Sequence, residues 1–63
     1  MDIGKNIKKL RRRKQMTQLQ LAERLGITAQ AVSKWENGHS APDISLLPKL
    51  SEMFGVTIEE LIK

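Results

Sequence analysis

Apolar residues at Ile3, Ile7 and Leu10 recur at intervals of four and three, with polar or basic residues between them. That spacing puts one apolar stripe on a basic helix over about residues 3–14. Thr17-Gln18-Leu19-Gln20 reads as a capping box, with Thr17 as N-cap and Gln20 reaching back. It opens a second helix that turns Leu21, Ala22 and Leu25 inward, and Gly26 follows where a left-handed residue closes a helix. Thr28 is another N-cap, starting a helix that runs to Trp35 or Glu36 and stops at Asn37-Gly38. Beyond the loop Gly38-His39-Ser40-Ala41-Pro42, Asp43 is the expected N-cap of a fourth helix ending near Phe54, with Gly55 as its stop. Pro48 sits five positions into that segment, where it removes one backbone hydrogen bond and favours a kink or a later start. Thr57-Ile58-Glu59-Glu60 is a second capping box and opens a short fifth helix.

No segment alternates with period two over a strand's length, so the pattern predicts an all-α fold. Five short helices joined by three- to four-residue turns form a compact orthogonal bundle, one domain over residues 1–63. The expected core is Ile7, Leu10, Leu21, Ala22, Leu25, Val32, Trp35, Leu46, Leu47, Leu50, Phe54, Val56 and Leu61. A chain of 63 residues buries only about 60% of its unfolded surface. It therefore needs a disulfide, a metal, a partner or unusually consistent helix packing. Cysteine is absent and His39 is the single histidine, which removes disulfides, thiolate zinc sites, thiol nucleophiles and His-rich metal clusters. Neither a metal nor a cofactor is expected. No nucleophile–base pair or converging carboxylate dyad stands out, so an enzyme is not expected either. No apolar run approaches the roughly 18 residues of a membrane span. The basic start also lacks the apolar stretch of a signal peptide, so no membrane partner and a cytoplasmic setting are expected.

Charge changes the picture more than composition does. The net charge is +4, but it is unevenly placed. Residues 1–14 carry seven lysines and arginines against Asp2 alone, while residues 15–63 carry four against six acidic side chains. Such a split points to a polyanion partner near the amino-terminal helix. The plainer alternative is a solvated basic face, and a basic run such as Lys8-Lys9-Leu10-Arg11-Arg12-Arg13-Lys14 also matches localisation signals by coincidence.

The segment from Gln18 to Trp35 carries the most information. Two helices joined by Gly26-Ile27-Thr28 must cross closely. That demands a small residue where the backbones approach (Ala22), a residue tolerant of positive φ in the turn (Gly26) and a branched apolar residue to close the angle (Val32). Ala22, four on to Gly26 and six more to Val32 is the spacing of a helix-turn-helix. The capping box and the basic neighbouring helix make that spacing specific.

With these residues in place, the chain resembles the Cro and phage-repressor family of helix-turn-helix domains, also called XRE-like. The resemblance is carried by Met16-Thr17-Gln18, Leu21-Ala22-Glu23, Leu25-Gly26-Ile27-Thr28, Val32-Ser33-Lys34-Trp35-Glu36-Asn37-Gly38 and Pro42-Asp43, and spans roughly residues 3–62. It implies a lambda-repressor-like DNA-binding domain of a transcriptional regulator, most simply a repressor. The helix from Thr28 to Glu36 would enter the major groove. The implied partner is double-stranded DNA carrying a palindromic operator, bound as a homodimer with recognition helices about 34 Å apart. Contacts between copies are expected from the fourth and fifth helices, through Leu46, Met53, Ile58 and Ile62, or from a domain outside this chain. The setting implied is bacterial or phage-like, at the nucleoid.

Carried over residue by residue, the base-facing positions are Ala29, Gln30, Ser33 and Lys34. Gln30 can pair with adenine, Lys34 can reach guanine, and Ala29 can touch a thymine methyl. Phosphate contacts fall to Gln18, Thr28 and Asn37, with Lys9 and Arg12 adding sequence-independent attraction. Arg11 and Glu36 match a pair that bridges the first and third helices in this family; if exposed, such a pair contributes only about 0–1 kcal/mol. Other readings stay open: Gln18 as a helix-start residue only, Lys34 on a phosphate, Ala29 as a helix former, and Gln30 and Ser33 as plain surface. Trp35 reads as core from its spacing to Val32. Two departures from the family pattern are Leu19, at a usually polar position, and Gln15, where the family commonly has glycine. The rival function is a protein-interaction module, antitoxin- or coactivator-like, that keeps the fold without reading DNA.

Overall fold

The computed structural model describes residues 2–63. Among them the helices run α1 Ile3–Arg13, α2 Gln18–Leu25, α3 Ala29–Glu36, α4 Leu47–Phe54 and α5 Ile58–Ile62, with a 3-10 turn at Ile44–Leu46 and no strand. Thr17 and Thr57 both close full capping boxes, with Gln20 and Glu60 returning the bond, and Thr28 accepts from the Ala31 N–H at 3.1 Å.

Three of the helices end in the same way, and a fourth shares the longer of the two closing bonds. After α1, the N–H of Met16 reaches the Arg11 carbonyl and that of Gln15 the Arg12 carbonyl. After α2, Ile27 and Gly26 bond back to Ala22 and Glu23; after α3, His39 and Gly38 bond back to Lys34 and Trp35. Val56 closes α4 on Ser51. This is the Schellman closure, which needs a left-handed residue just past the helix. Gly26, Gly38 and Gly55 hold φ of 72°, 77° and 68°, and Gln15 holds 56°. Gln15 thus occupies the conformation that glycine would supply, at the position where the chain departs from its family.

The fourth helix does not start at Asp43. That side chain accepts from the Ser45 N–H at 3.1 Å and caps the 3-10 turn instead. α4 begins at Leu47, which places Pro48 in its first turn, where a missing N–H leaves no bond unmade. Of the two outcomes expected of Pro48, the later start is the one found.

The core consists of Ile7, Leu21, Ala22, Leu25, Val32, Trp35, Leu50, Phe54 and Leu61. Leu10, Leu46, Leu47 and Val56 were expected inside but are half-buried, packed on its margin. The Cα radius of gyration is 10.1 Å, close to the ~10.6 Å of a folded domain this long. α5 has only five residues and cannot persist alone. It is held by Leu61 in the core and by Asn6 of α1, whose amide donates to the Leu61 carbonyl at 2.8 Å.

Gly4 is buried, and neither its burial nor its role was evident in the sequence. A Cβ there would stand 1.9 Å from the Trp35 carbonyl oxygen and 2.9 Å from its carbon. α1 therefore crosses the end of α3 backbone to backbone. Gly4→Ala gains about 1 kcal/mol of helix propensity but must push two backbones apart, at about 1–3 kcal/mol or more. The expected outcome is a net loss of stability, read as a lower Tm by circular dichroism. Gln15→Gly should act oppositely: it relieves a left-handed cost of about 1–2 kcal/mol against a smaller entropic loss. A rise of about 0.5–1 kcal/mol in urea unfolding is expected, and an unchanged midpoint would show that Gln15 is not strained.

Candidate nucleic-acid interface

α2 and α3 pack against each other through Ala22 and Val32, both fully buried, around the turn at Gly26. Trp35 is 5% exposed, so it is core as its spacing predicts. With Val32 and Trp35 turned inward, the helical period turns Gln30 and Lys34 outward, and both are exposed. Ala29 and Ser33 flank them, half-buried. The four base-facing candidates thus share one face over about two turns of α3. Leu19, on α2, is 57% exposed.

The phosphate candidates border that face at both ends. Thr28 is exposed, and its oxygen is occupied by the Ala31 N–H while its own hydroxyl hydrogen remains available. Asn37 is exposed and its amide donates to the Ser33 hydroxyl at 3.3 Å. Gln18 begins α2, where first-turn N–H groups lack helical partners. Its amide donates to Glu36 Oε1 at 3.1 Å. One amide hydrogen is therefore committed and the other is left for a ligand.

That bond belongs to a larger network. Arg11 Nε donates to Glu36 Oε2 at 2.7 Å and Nη2 to Oε1 at 2.9 Å, a bidentate pair. Arg11 Nη1 donates to the Met16 carbonyl at 2.7 Å. The two side chains are 10% and 2% exposed, so this is a buried pair and the small worth of an exposed one does not apply. Burial works to raise the Glu36 pKa, but hydrogen bonds from Arg11 and Gln18 and the charges of Arg11 and Lys8 outweigh it and hold it below the ordinary value. The hydrogen bond to Glu36 raises the Arg11 pKa, against the effect of burial.

Lys9 and Arg12 lie on the outward face of α1 and are exposed. Lys9 shares its surroundings with Arg13, Val56 and Glu60, on the α5 side. Lys8, which the sequence did not single out, is the α1 lysine whose charge acts on Glu36, and it flanks α3. Among the described residues no group of three His, Asp or Glu side chains converges as a metal site. No helix there is long and apolar enough to cross a membrane.

Ala22 and Val32 buried on either side of the Gly26 turn, an outward polar face on the second helix and amide donors at its margins define a helix-turn-helix DNA-binding domain. A family model described as helix-turn-helix matches residues 7–61, and the chain belongs to that family, of the Cro/C1 type. The chain is 42% identical over 62 residues to the HTH-type transcriptional activator BcrR of Enterococcus faecalis, covering 98% of this chain and 30% of that protein. It is 42% identical over 60 residues to the SPbeta prophage-derived HTH-type transcriptional regulator YonR of Bacillus subtilis, covering 95% and 56%. It is also 37% identical over 60 residues to antitoxin PezA of Streptococcus pneumoniae, covering 95% and 38%. The chain thus spans about a third to just over half the length of these relatives. In three dimensions it superposes on hydroxypropylphosphonic acid epoxidase from S. wedmorenis with a TM-score of 0.83 at 28% identity, covering 95% of this chain and 32% of that one.

The buried pair makes stability depend on pH. Glu36 has a lower pKa folded than unfolded, so its contribution is full above its ordinary value of 4.5 and is lost as pH falls through the folded value. Glu36→Gln removes that part of the acid sensitivity and strands the Arg11 charge, at a cost of about 3–5 kcal/mol at neutral pH. Because a domain this small has only about 3–5 kcal/mol in total, the single variant should be largely unfolded. Arg11→Met with Glu36→Leu should restore a folded domain with a shallower loss of stability below pH 4.5, measured by urea titration at pH 7 and pH 3. An equally steep acid loss in the double variant would show that the pair does not govern it.

Proposed function

We propose that this domain binds a specific sequence of double-stranded DNA and regulates transcription, with α3 in the major groove. The observation that carries this reading is the outward face of α3, where Gln30 and Lys34 stand exposed beside Ser33 while Val32 and Trp35 of the same helix fill the core. Nothing in the fold needs those polar residues, and their chemistry suits base edges. Gln30 reads adenine, Lys34 guanine, Ala29 a thymine methyl and Ser33 either partner of a pair. Gln18, Thr28 and Asn37 fix the register on phosphates, while Lys9 and Arg12, turned outward on α1, draw DNA from a distance without reading its sequence or touching the duplex that α3 enters. The domain's part in this is binding rather than catalysis, in the cytoplasm where the operator lies.

In this reading two copies occupy a palindrome. The turn before α4 and the start of α5 carry Ile44, 80% exposed, and Ile58, 38% exposed, an apolar supply for contact between copies through α4 and α5. A second reading is favoured by the antitoxin relative: the same fold serving to hold a protein partner, with Leu19 and Ile44 as its anchors.

Selection from a random duplex pool at about 150 mM salt separates the two, because non-specific phosphate binding is already weak there. An enriched palindrome with half-sites about ten base pairs apart is expected. Gln30→Ala should then cost about 1–3 kcal/mol at one base pair and relax the preference there. No enrichment, with DNA held only at low salt, would sink the DNA reading in favour of the protein partner.

A further inference from the structure

The exposed residues of α1 are Lys5, Lys9, Arg12 and Arg13, and all four are cations. At 100° per residue, Lys5 and Lys9 lie about 160° to either side of Ile7, so the stripe points away from the core. α1 has two occupied flanks. On one, Gly4 and Arg11 meet Trp35 and Glu36 of α3. On the other, Asn6 holds α5, and Lys9 and Arg13 border Val56 and Glu60. The stripe runs along the outside and round to the α5 flank, away from the face on which α3 presents Gln30 and Lys34.

Its charges are largely uncompensated. Lys5 has an exposed partner in Asp2 at 3.6 Å, and among the described residues no acidic group pairs with Lys9, Arg12 or Arg13. The chemistry around the stripe selects the class of partner. Exposed large apolar residues occur at Leu19, Ile44 and Ile58, none of them on α1. Protein interfaces bury an apolar centre and are depleted in lysine, and a membrane-bound helix needs its apolar face free, whereas that of α1 is spent on the core. A row of cations with no exposed apolar side chain on its own helix fits a regular line of phosphates.

We propose that the outward face of α1 holds the phosphate backbone of a second duplex segment while α3 occupies the groove of the first, so that one domain joins two stretches of DNA. The inference rests on the DNA reading above. Four phosphate contacts give a salt slope near −3.6, so retention of the second duplex should fall on the order of a hundredfold between 50 and 200 mM salt.

The test uses a surface-tethered duplex of the sequence enriched in the selection, saturated with protein, and a labelled 20-base-pair duplex of unrelated sequence in solution at about 100 mM salt. Wild type should retain the labelled duplex. The variant Lys5→Gln with Arg13→Gln should hold the tethered duplex as before and lose the labelled one by about tenfold or more. Capture that survives in the variant would overturn the proposal, since two recognition helices of a dimer would then be bridging. A tethered complex that captures no second duplex at all would also overturn it, leaving the DNA reading intact. Equal loss of both duplexes in the variant would mean that the stripe lies along the first duplex, and preferential retention of labelled poly-glutamate at matched charge would hand the face to an acidic protein. A selection that enriches nothing removes both readings together.

Discussion

Among the described residues Arg11 and Glu36 form the one buried ion pair, and it ties α1 to α3 and, through Gln18, to α2. Enclosing two charges costs several kcal/mol per ion, which attraction offsets only when every donor and acceptor is used. Here Nε and Nη2 of Arg11 take both carboxylate oxygens, Nη1 takes the Met16 carbonyl, and Gln18 adds a bond to Glu36. Among the described residues no buried side-chain polar atom is left without a partner. The geometry admits little slack: sliding α3 along α1 by a residue would break the bidentate pair and drive the Trp35 carbonyl into α1 away from Gly4. Since Gln18 leads α2 and Glu36 is the last residue of α3, the same contact fixes the two margins of the DNA-facing surface relative to each other.

The helices themselves are too short to hold on their own, at five to eleven residues. What helps them persist is that three of their starts and four of their ends are finished by local hydrogen bonds. Capping boxes at Thr17 and Thr57 and the Thr28 cap satisfy starting N–H groups, and closures after α1, α2, α3 and α4 satisfy terminal carbonyls. Local preference and tertiary packing then favour the same boundaries, the condition for a cooperative fold in a chain with no disulfide. Gln15 is the position where they disagree, and it lies beside Met16, whose carbonyl Arg11 holds. The buried pair thus stabilises the one turn whose residue type does not suit it.

Much of this was legible from residue types and spacing, because caps, left-handed glycines and apolar stripes are local codes. Thr17, Gly26 and Val32 each announce their role within a few residues. Three features were not legible, and each depends on something distant. Gly4 looks like a weak spot in a helix until the backbone of α3 is placed against it. Asn6 is an ordinary polar residue until α5 brings its Leu61 carbonyl within 2.8 Å. Asp43 has the chemistry of an α-helix cap, and Pro48, fifth in a helix begun after Asp43 but second in one begun at Leu47, favours the later start and leaves Asp43 to cap a 3-10 turn. The burial of Arg11 falls between: the resemblance pairs it with Glu36 and the helical period sets it about 40° from Ile7, but only the placement of α3 encloses it.

The site shows a separation that the fold allows rather than dictates. On α3, Val32 and Trp35 answer to the core, whereas Gln30 and Lys34 touch nothing the core requires. The outward residues can therefore change with almost no cost in stability, while the Ala22–Gly26–Val32 turn cannot. That asymmetry explains how one scaffold can appear within proteins named as an activator, an antitoxin and an epoxidase, each with this chain covering a third or so of its length. Fold alone does not choose among such roles. In this chain the choice is written in the outward residues: an amide and an ammonium side by side on α3, amide donors at its borders, and cations on the free face of α1. Charge draws a polyanion to the domain from any direction, whereas in the DNA reading the side chains offered to base edges are those exposed on α3. In the DNA reading proposed above, attraction and base readout fall to different helices, and the Arg11–Glu36 contact joins those helices.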